Sequence, residues 1–211
     1  MSTITIRFYE TNEPYGCFSN FSRHPLALDG REWRTSEHFF QASKFTNIVD
    51  VNAVHAAATP FLAAQIGRSR ERSLRTDWEK VKDEIMLRTL RTKFTQHPDI
   101  QSILRSTAGA ALVEHTANDR YWGNGGDGSG LNRLGVLLEQ VRSELGGSEL
   151  HFVPPPWIAF PDVERSDLFW RMGRGEDHVI QASRFRHSLL PGARAEYDAY
   201  FRVPDEWQGA W

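Results

Sequence analysis

The stretch "RTSEHFFQASKF", Arg34 to Phe45, decides how this chain is read. Thr35 or Ser36 can cap a helix, Glu37 then sits in the first turn where the helix dipole favours a negative charge, and Phe39, Phe40 and Phe45 supply an apolar side. Glu37, Gln41 and Lys44 fall at i, i+4 and i+7, a spacing that predicts one shared face over two turns. A solvated polar stripe is the ordinary account of such a face. Against it stands the upstream turn "NEPYGCFSNF", Asn12 to Phe21, which is crowded with aromatics and contains Ser19-Asn20. A carboxylate and an amine beside an aromatic wall describe a pocket better than an outer surface.

Working outward, "ITIRFY" (Ile4 to Tyr9) alternates like a strand, and Thr59-Pro60 opens a further helix with proline at its first position. Asp77 to Phe94 is the longest predicted helix, because Trp78, Val81, Ile85, Leu87, Leu90 and Phe94 recur at helical spacing. "AALVEH" (Ala110 to His115) reads as a strand, and "YWGNGGDGSGLNRLG" (Tyr121 to Gly135) runs into a last helix, Leu131 to Leu145. Helices with a few short strands make the class α+β, mainly α. From Ser148 onward the chain carries ten acidic and seven basic residues, every cation an arginine. With "GGS" at Gly146 to Ser148 and "PPP" at Pro154 to Pro156, this shift predicts a body of residues 1–147 and an accessory region of residues 148–211.

Composition excludes several classes. The chain is 40% hydrophobic and 25% charged, and no apolar run approaches the roughly 18 residues of a spanning helix. "MSTITIRFYE" lacks the pattern of a secretory signal, and the lone Cys17 cannot form an internal disulfide, so a reducing cytoplasm is the expected location. A net charge of -2 argues against gripping nucleic acid by bulk electrostatics. The eight histidines show no metal-binding spacing, and no metal site is expected.

Two other segments carry possible chemistry. The glycines of Tyr121 to Gly135 would let backbone N–H groups approach phosphate or ribose oxygens, although a glycine-rich surface turn is the commoner case. Arg68, Arg70, Arg72 and Arg75 could form a phosphate clamp, against the plainer account of a charged loop.

In order and spacing, "FYETNEPYGCFSNF", "WRTSEHFFQASKF", "IGRSRERSLRTDWEKVKDEIM" and "LVEHTANDRYWGNGGDGSGLNRLG" resemble the YbiA-like family, also called NADAR, across residues 1–145. The resemblance implies a compact, mostly helical α+β domain that hydrolyses N-glycosidic bonds without metal or redox cofactor. It implies either of two substrate classes: phosphorylated ribosylamino-pyrimidine intermediates of riboflavin synthesis, or ADP-ribose attached to guanine in nucleic acid. A non-catalytic nucleotide-binding module is the third alternative. Carried over by motif, Glu37 and Lys44 are the catalytic residues, and Asn20, Gln41, Trp78, Trp122, Gly123 and Asn132 line the site with Glu114 and Asp119. Where family members often have lysines in the glycine-rich segment, this chain has Ser129 and Leu131.

The region beyond Ser148 resembles nothing in that family. It holds four of the seven tryptophans (Trp157, Trp170, Trp207 and Trp211), so it is expected to pack on the body. Its "DHVIQASRF", Asp177 to Phe185, echoes "EHFFQASKF", but Arg184 stands where the first copy has Lys44. An arginine cannot replace a deprotonatable amine, so the second copy is expected to be idle.

Overall fold

The computed structural model describes residues 4–146 and 151–211; the boundary expected at residues 147 and 148 lies outside the described residues. Strand β1 (Thr5–Phe8) pairs in parallel with β4 (Ala111–Glu114), Thr5 opposite Ala111 and Phe8 opposite Glu114. A second pair, β2 (Leu26–Leu28) and β3 (Arg31–Trp33), forms an antiparallel hairpin. Asp29 and Gly30, both at positive φ, make the turn that joins them, as a two-residue hairpin loop requires. Between β1 and β4 run five helices: α1 (Ser36–Ala42), α2 (Ile48–His55), α3 (Pro60–Arg68), α4 (Trp78–Gln96) and α5 (Pro98–Ser106). Helix α6 (Arg133–Glu144) follows β4 and packs on it and on α4. The mainly α, α+β class is what the sequence predicts.

Helix α4 organises the body because Met86, Leu90 and Phe94 recur every four residues and are buried together, an apolar stripe at helical spacing. It packs against α1, α5 and α6. The main core joins this stripe to Ile6, Phe8, Phe18, Leu112, Leu134 and Leu138. A second cluster, including Leu26, Trp33, Phe39, Phe45 and Val54, fills the space among the hairpin, α1, α2 and α3. Several caps match their sequence signals. Thr35 accepts from the His38 amide at the start of α1, and Thr59 from the Leu62 amide ahead of Pro60.

The C-terminal region contributes α7 (Pro156–Ala159), α8 (Gly173–Ser188) and α9 (Pro191–Tyr200). It packs on the body: α9 lies against α5, Phe152 N–H donates to Ala108 O at 2.7 Å, and Phe185, Tyr197 and Phe201 belong to the same core as Ile6 and Phe8. The echo "DHVIQASRF" lies within α8, burying Ala182 and Phe185 while Asp177, Gln181 and Arg184 face solvent.

Candidate active site

Every residue of α1 from Ser36 to Ala42 is buried. The polar face of this helix is therefore enclosed, with Glu37 only 5% exposed. One expectation needs adjustment. The helix is seven residues long and ends at Ala42, so Lys44 lies in the turn beyond it, where Lys44 N–H bonds Gln41 O and Phe45 N–H bonds Ala42 O. These tighter i to i+3 bonds still bring the amine back beside the helix. Lys44 Nζ donates to Gly67 O at 3.2 Å and lies 5.6 Å from the Trp78 ring centroid and 5.8 Å from that of Phe40.

Glu37 is held at two points. Its backbone N–H donates to Asn20 O at 3.0 Å, and its Oε1 accepts from Gln41 Nε2 at 2.7 Å. Burial pushes its carboxyl above the ordinary range; the Gln41 hydrogen bond and the charges of Lys44 and Arg68 oppose that rise, while Asp119 adds to it. Lys44 is shifted the other way, downward, by burial against the attraction of Glu37. Three buried polar atoms on residues that bond or adjoin Glu37 lack a protein partner: Asn20 Oδ1, Ser36 Oγ and Gln41 Oε1. Asn20 donates its amide to Met86 Sδ at 3.3 Å. His38, although buried next door, has Nδ1 paired with Thr35 Oγ1 and Nε2 paired with Ala57 O, the pattern of a satisfied core histidine.

The aromatics beside Glu37 and Lys44 are not those of the upstream turn, whose Tyr15 and Phe18 pack in the main core with Phe8 and Phe94. Phe40 contacts Trp78 at 5.1 Å and Trp122 at 5.2 Å between ring centroids. Trp78 is the first residue of α4 and is buried; Trp122 is half-buried. Glu114, the last residue of β4, is close enough to feel the charges of the same region. Burial, Asp119 and Glu37, in that order, push its carboxyl up to about 8. Asp119 Oδ1 accepts the Tyr121 and Trp122 amides at 2.8 and 2.7 Å, which fixes Trp122 beside Phe40.

Most backbone N–H groups of the glycine-rich segment already have protein partners: Asn124 N–H meets Glu114 O, Gly125 N–H meets Asp119 O and Gly130 N–H meets Asn124 O. At the start of α6, Arg133 and Leu134 N–H groups meet Tyr121 O and Trp122 O, so protein carbonyls already occupy that positive helix end. Asn132 and Gly123 both help hold the segment against β4. Asn132 adopts a left-handed φ of 49°, and its side chain accepts from Glu114 N–H at 2.9 Å and donates to Leu112 O at 2.8 Å. It completes β4 as a neighbouring strand would. A Cβ on Gly123 would lie 2.6 Å from Thr116 Cγ2, so glycine permits the close approach there. Of the arginines, Arg72 pairs with Asp50 and Arg75 with Asp77; Arg68 and Arg70 form no ion pair among the described residues.

Two contributors went unread in the sequence. Gly67 in α3 passes so close to α1 that a Cβ would lie 2.0 Å from Gln41 Oε1 and 2.9 Å from Gln41 Cβ. Its signal was a glycine inside a helical pattern. Lys93 is fully buried on the apolar stripe of α4, and a lysine at a core position was the available hint. Two surface cavities, one of about 430 Å³ beside Asn47 and Arg72 and one of about 330 Å³ beside Arg7 and Tyr200, are lined by neither Glu37 nor Lys44.

Residues 7–146 match the NADAR domain. The chain belongs to this family. Relatives include N-glycosidase YbiA of Escherichia coli (strain K12), 48% identical over 145 residues, a span of 69% of this chain and 91% of the relative. The riboflavin biosynthesis protein PYRR, chloroplastic, of Zea mays is 41% identical over 161 residues, covering 69% of this chain but 26% of the relative. Among solved structures, the NMR structure of the E. coli protein YbiA superposes with a TM-score of 0.65 at 46% identity, covering 71% of this chain and 89% of the other. The NADAR match ends before α7, so α7 to α9 lie outside the region that defines the family. No helix among the described residues is long and apolar enough to cross a membrane.

Proposed function

We propose that this NADAR protein hydrolyses N-glycosidic bonds, and that its substrate is a phosphorylated ribosylamino-pyrimidine intermediate of riboflavin synthesis. The observation that carries the reading is the buried Glu37 with Lys44 beside it, enclosed by Phe40, Trp78 and Trp122. Relatives named as N-glycosidases and as a riboflavin biosynthesis protein support it.

Cleaving a C1′–N bond builds positive charge on the ribose. The carboxylate of Glu37, desolvated and held by Gln41, stabilises that charge where low polarity strengthens the interaction, and orients the water that adds to C1′. Unpartnered Asn20 Oδ1 and Gln41 Oε1 are acceptors suited to ribose hydroxyls. Glu114, whose carboxyl reaches about 8, is protonated at neutral pH and can pass its proton to the departing nitrogen. Lys44 offers a parallel route: depressed basicity favours the neutral amine, which attacks C1′ as the base leaves with the bonding pair; the adduct opens to an imine that water then hydrolyses. Trp78 and Trp122 flank the base or ribose and exclude water from the wrong face.

The test offers purified protein two substrates, a phosphorylated ribosylamino-pyrimidine and an ADP-ribosyl-guanine oligonucleotide, with released products identified by mass spectrometry. Free pyrimidine and ribose 5-phosphate from the first support the reading. Release of ADP-ribose from the second alone replaces it.

A further inference from the structure

Charge grips the short 3-10 turn Gly16–Phe18 from both ends. At its N–H end, Tyr15 N–H donates to Glu196 Oε2 at 2.5 Å. At its carbonyl end, Lys93 Nζ donates to Cys17 O at 2.5 Å, to Ser19 O at 2.9 Å and to Ser22 Oγ at 2.7 Å. A carboxylate at the amide end and an ammonium at the carbonyl end is the arrangement that aligned peptide dipoles favour. Neither residue has an ion-pair partner among the described residues. Burying an ammonium without an anion is tolerable only when its donors are met, and here three oxygens take all three.

Just beyond the turn lies Asn20, whose carbonyl receives the Glu37 N–H. The entry to the turn is itself constrained. Tyr15 has a φ of 60°, a conformation disfavoured for a residue with a side chain, and its ring is stacked on Phe18 and edge-on to Tyr200 of α9. Lys93 comes from the body, on α4, whereas Glu196 and Tyr200 come from α9, outside the family region.

We propose that Glu196 is a positioning residue for the reaction: together with Lys93 it clamps the turn whose Asn20 sets the backbone of Glu37, so the C-terminal region takes part in shaping the site. The proposal rests on the assignment of Glu37 as a catalytic residue. The clamp can be judged without substrate, because the Glu37 amide that donates to Asn20 reports directly on the turn.

Amide hydrogen exchange by NMR, kcat and KM for the ribosylamino-pyrimidine, and circular dichroism are measured for the wild type, Glu196→Ala and Glu196→Gln. In Glu196→Ala the Tyr15 and Glu37 amides should exchange about 10-fold faster, with kcat about 10-fold lower and KM nearly unchanged. Glu196→Gln, which can still accept the Tyr15 hydrogen bond, should fall between. Exposed Arg202 serves as the control, and Arg202→Ala should behave as wild type. A contact that merely stabilises the fold would lower the melting temperature while leaving kcat and the Glu37 amide alone. Folded Glu196→Ala whose Glu37 exchange, or whose kcat, stays within about 2-fold of wild type overturns the proposal. If the alanine variant does not fold, Glu196→Gln is judged by the same two readings. Should the wild type leave the ribosylamino-pyrimidine uncleaved, the substrate reading fails and amide exchange alone decides on the clamp.

Discussion

Replacing Gly67 by alanine sets two physical effects against each other, and the structure says which wins. In a helix, alanine is favoured over glycine by up to about 1 kcal/mol. Opposing this, the new Cβ would lie 2.0 Å from Gln41 Oε1, 2.8 Å from Gln41 Cδ and 2.9 Å from Gln41 Cβ. The last contact is close to the backbone of α1, so rotating the end of the glutamine cannot relieve it. Either α3 retreats, drawing Gly67 O away from Lys44 Nζ, or Gln41 swings out and breaks its 2.7 Å bond to Glu37. Overpacking costs about 1–3 kcal/mol and the lost bond to a buried carboxyl about 1 kcal/mol more. The net is a destabilisation of about 1–3 kcal/mol, or a melting temperature lowered by roughly 3–10 °C. Both catalytic candidates are displaced together, so kcat should fall about 100-fold, the scale set by a misplacement of about 1 Å. Thermal melts by circular dichroism and product release by chromatography measure the two quantities. A Gly67→Ala protein more stable than wild type and cleaving within a few-fold of it would refute the close approach of α3 and α1 as the support of the site.

Glu37→Gln preserves shape and removes charge, and should cost about 100-fold or more in turnover with the fold intact; near-normal turnover would remove Glu37 from the mechanism. If turnover runs through the imine route, Lys44→Arg should be nearly inactive, because a guanidinium does not deprotonate, and borohydride added during wild-type turnover should trap a covalent adduct at Lys44 detectable by peptide mass spectrometry; an active Arg variant with no adduct rejects that route and leaves the water route. Glu114 keeps its proton in the folded state to about 8 but releases it near 4.5 in the unfolded chain. The folded state therefore binds the extra proton across that window, so stability should fall as pH rises through it, and Glu114→Gln should flatten the dependence in pH-dependent denaturant titrations. For catalysis, kcat should fall as pH rises through about 8, and Glu114→Gln should lose that limb. Arg184→Ala, in the solvent-facing echo on α8, should leave turnover unchanged.

Local signals in the sequence determined a good part of this protein. The cap at Thr35, the proline after Thr59 and the stripe on α4 act within a few residues, so they could be read without knowing what packs on them. The same holds for the i, i+4 relation of Glu37 and Gln41, since a single turn of helix creates it. Family motifs supplied the remaining candidate residues and their expected roles, which no local signal carries. The three-residue strands β2 and β3 carry too little alternation to be recognised, and the parallel pairing of β1 with β4 closes across more than a hundred residues. Only tertiary structure shows that the polar face of α1 is buried, because burial depends on α3 pressing Gly67 against Gln41 and on Trp122 being held by Asp119. That Asn132 braces β4 is hidden for a similar reason: its partners lie eighteen and twenty residues back along the chain. The clamp between Lys93 and Glu196 joins residues from α4 and α9 across one turn. A charge that is costly to bury becomes tolerable only when distant oxygens and amides converge on it, and that convergence is a property of the packed fold.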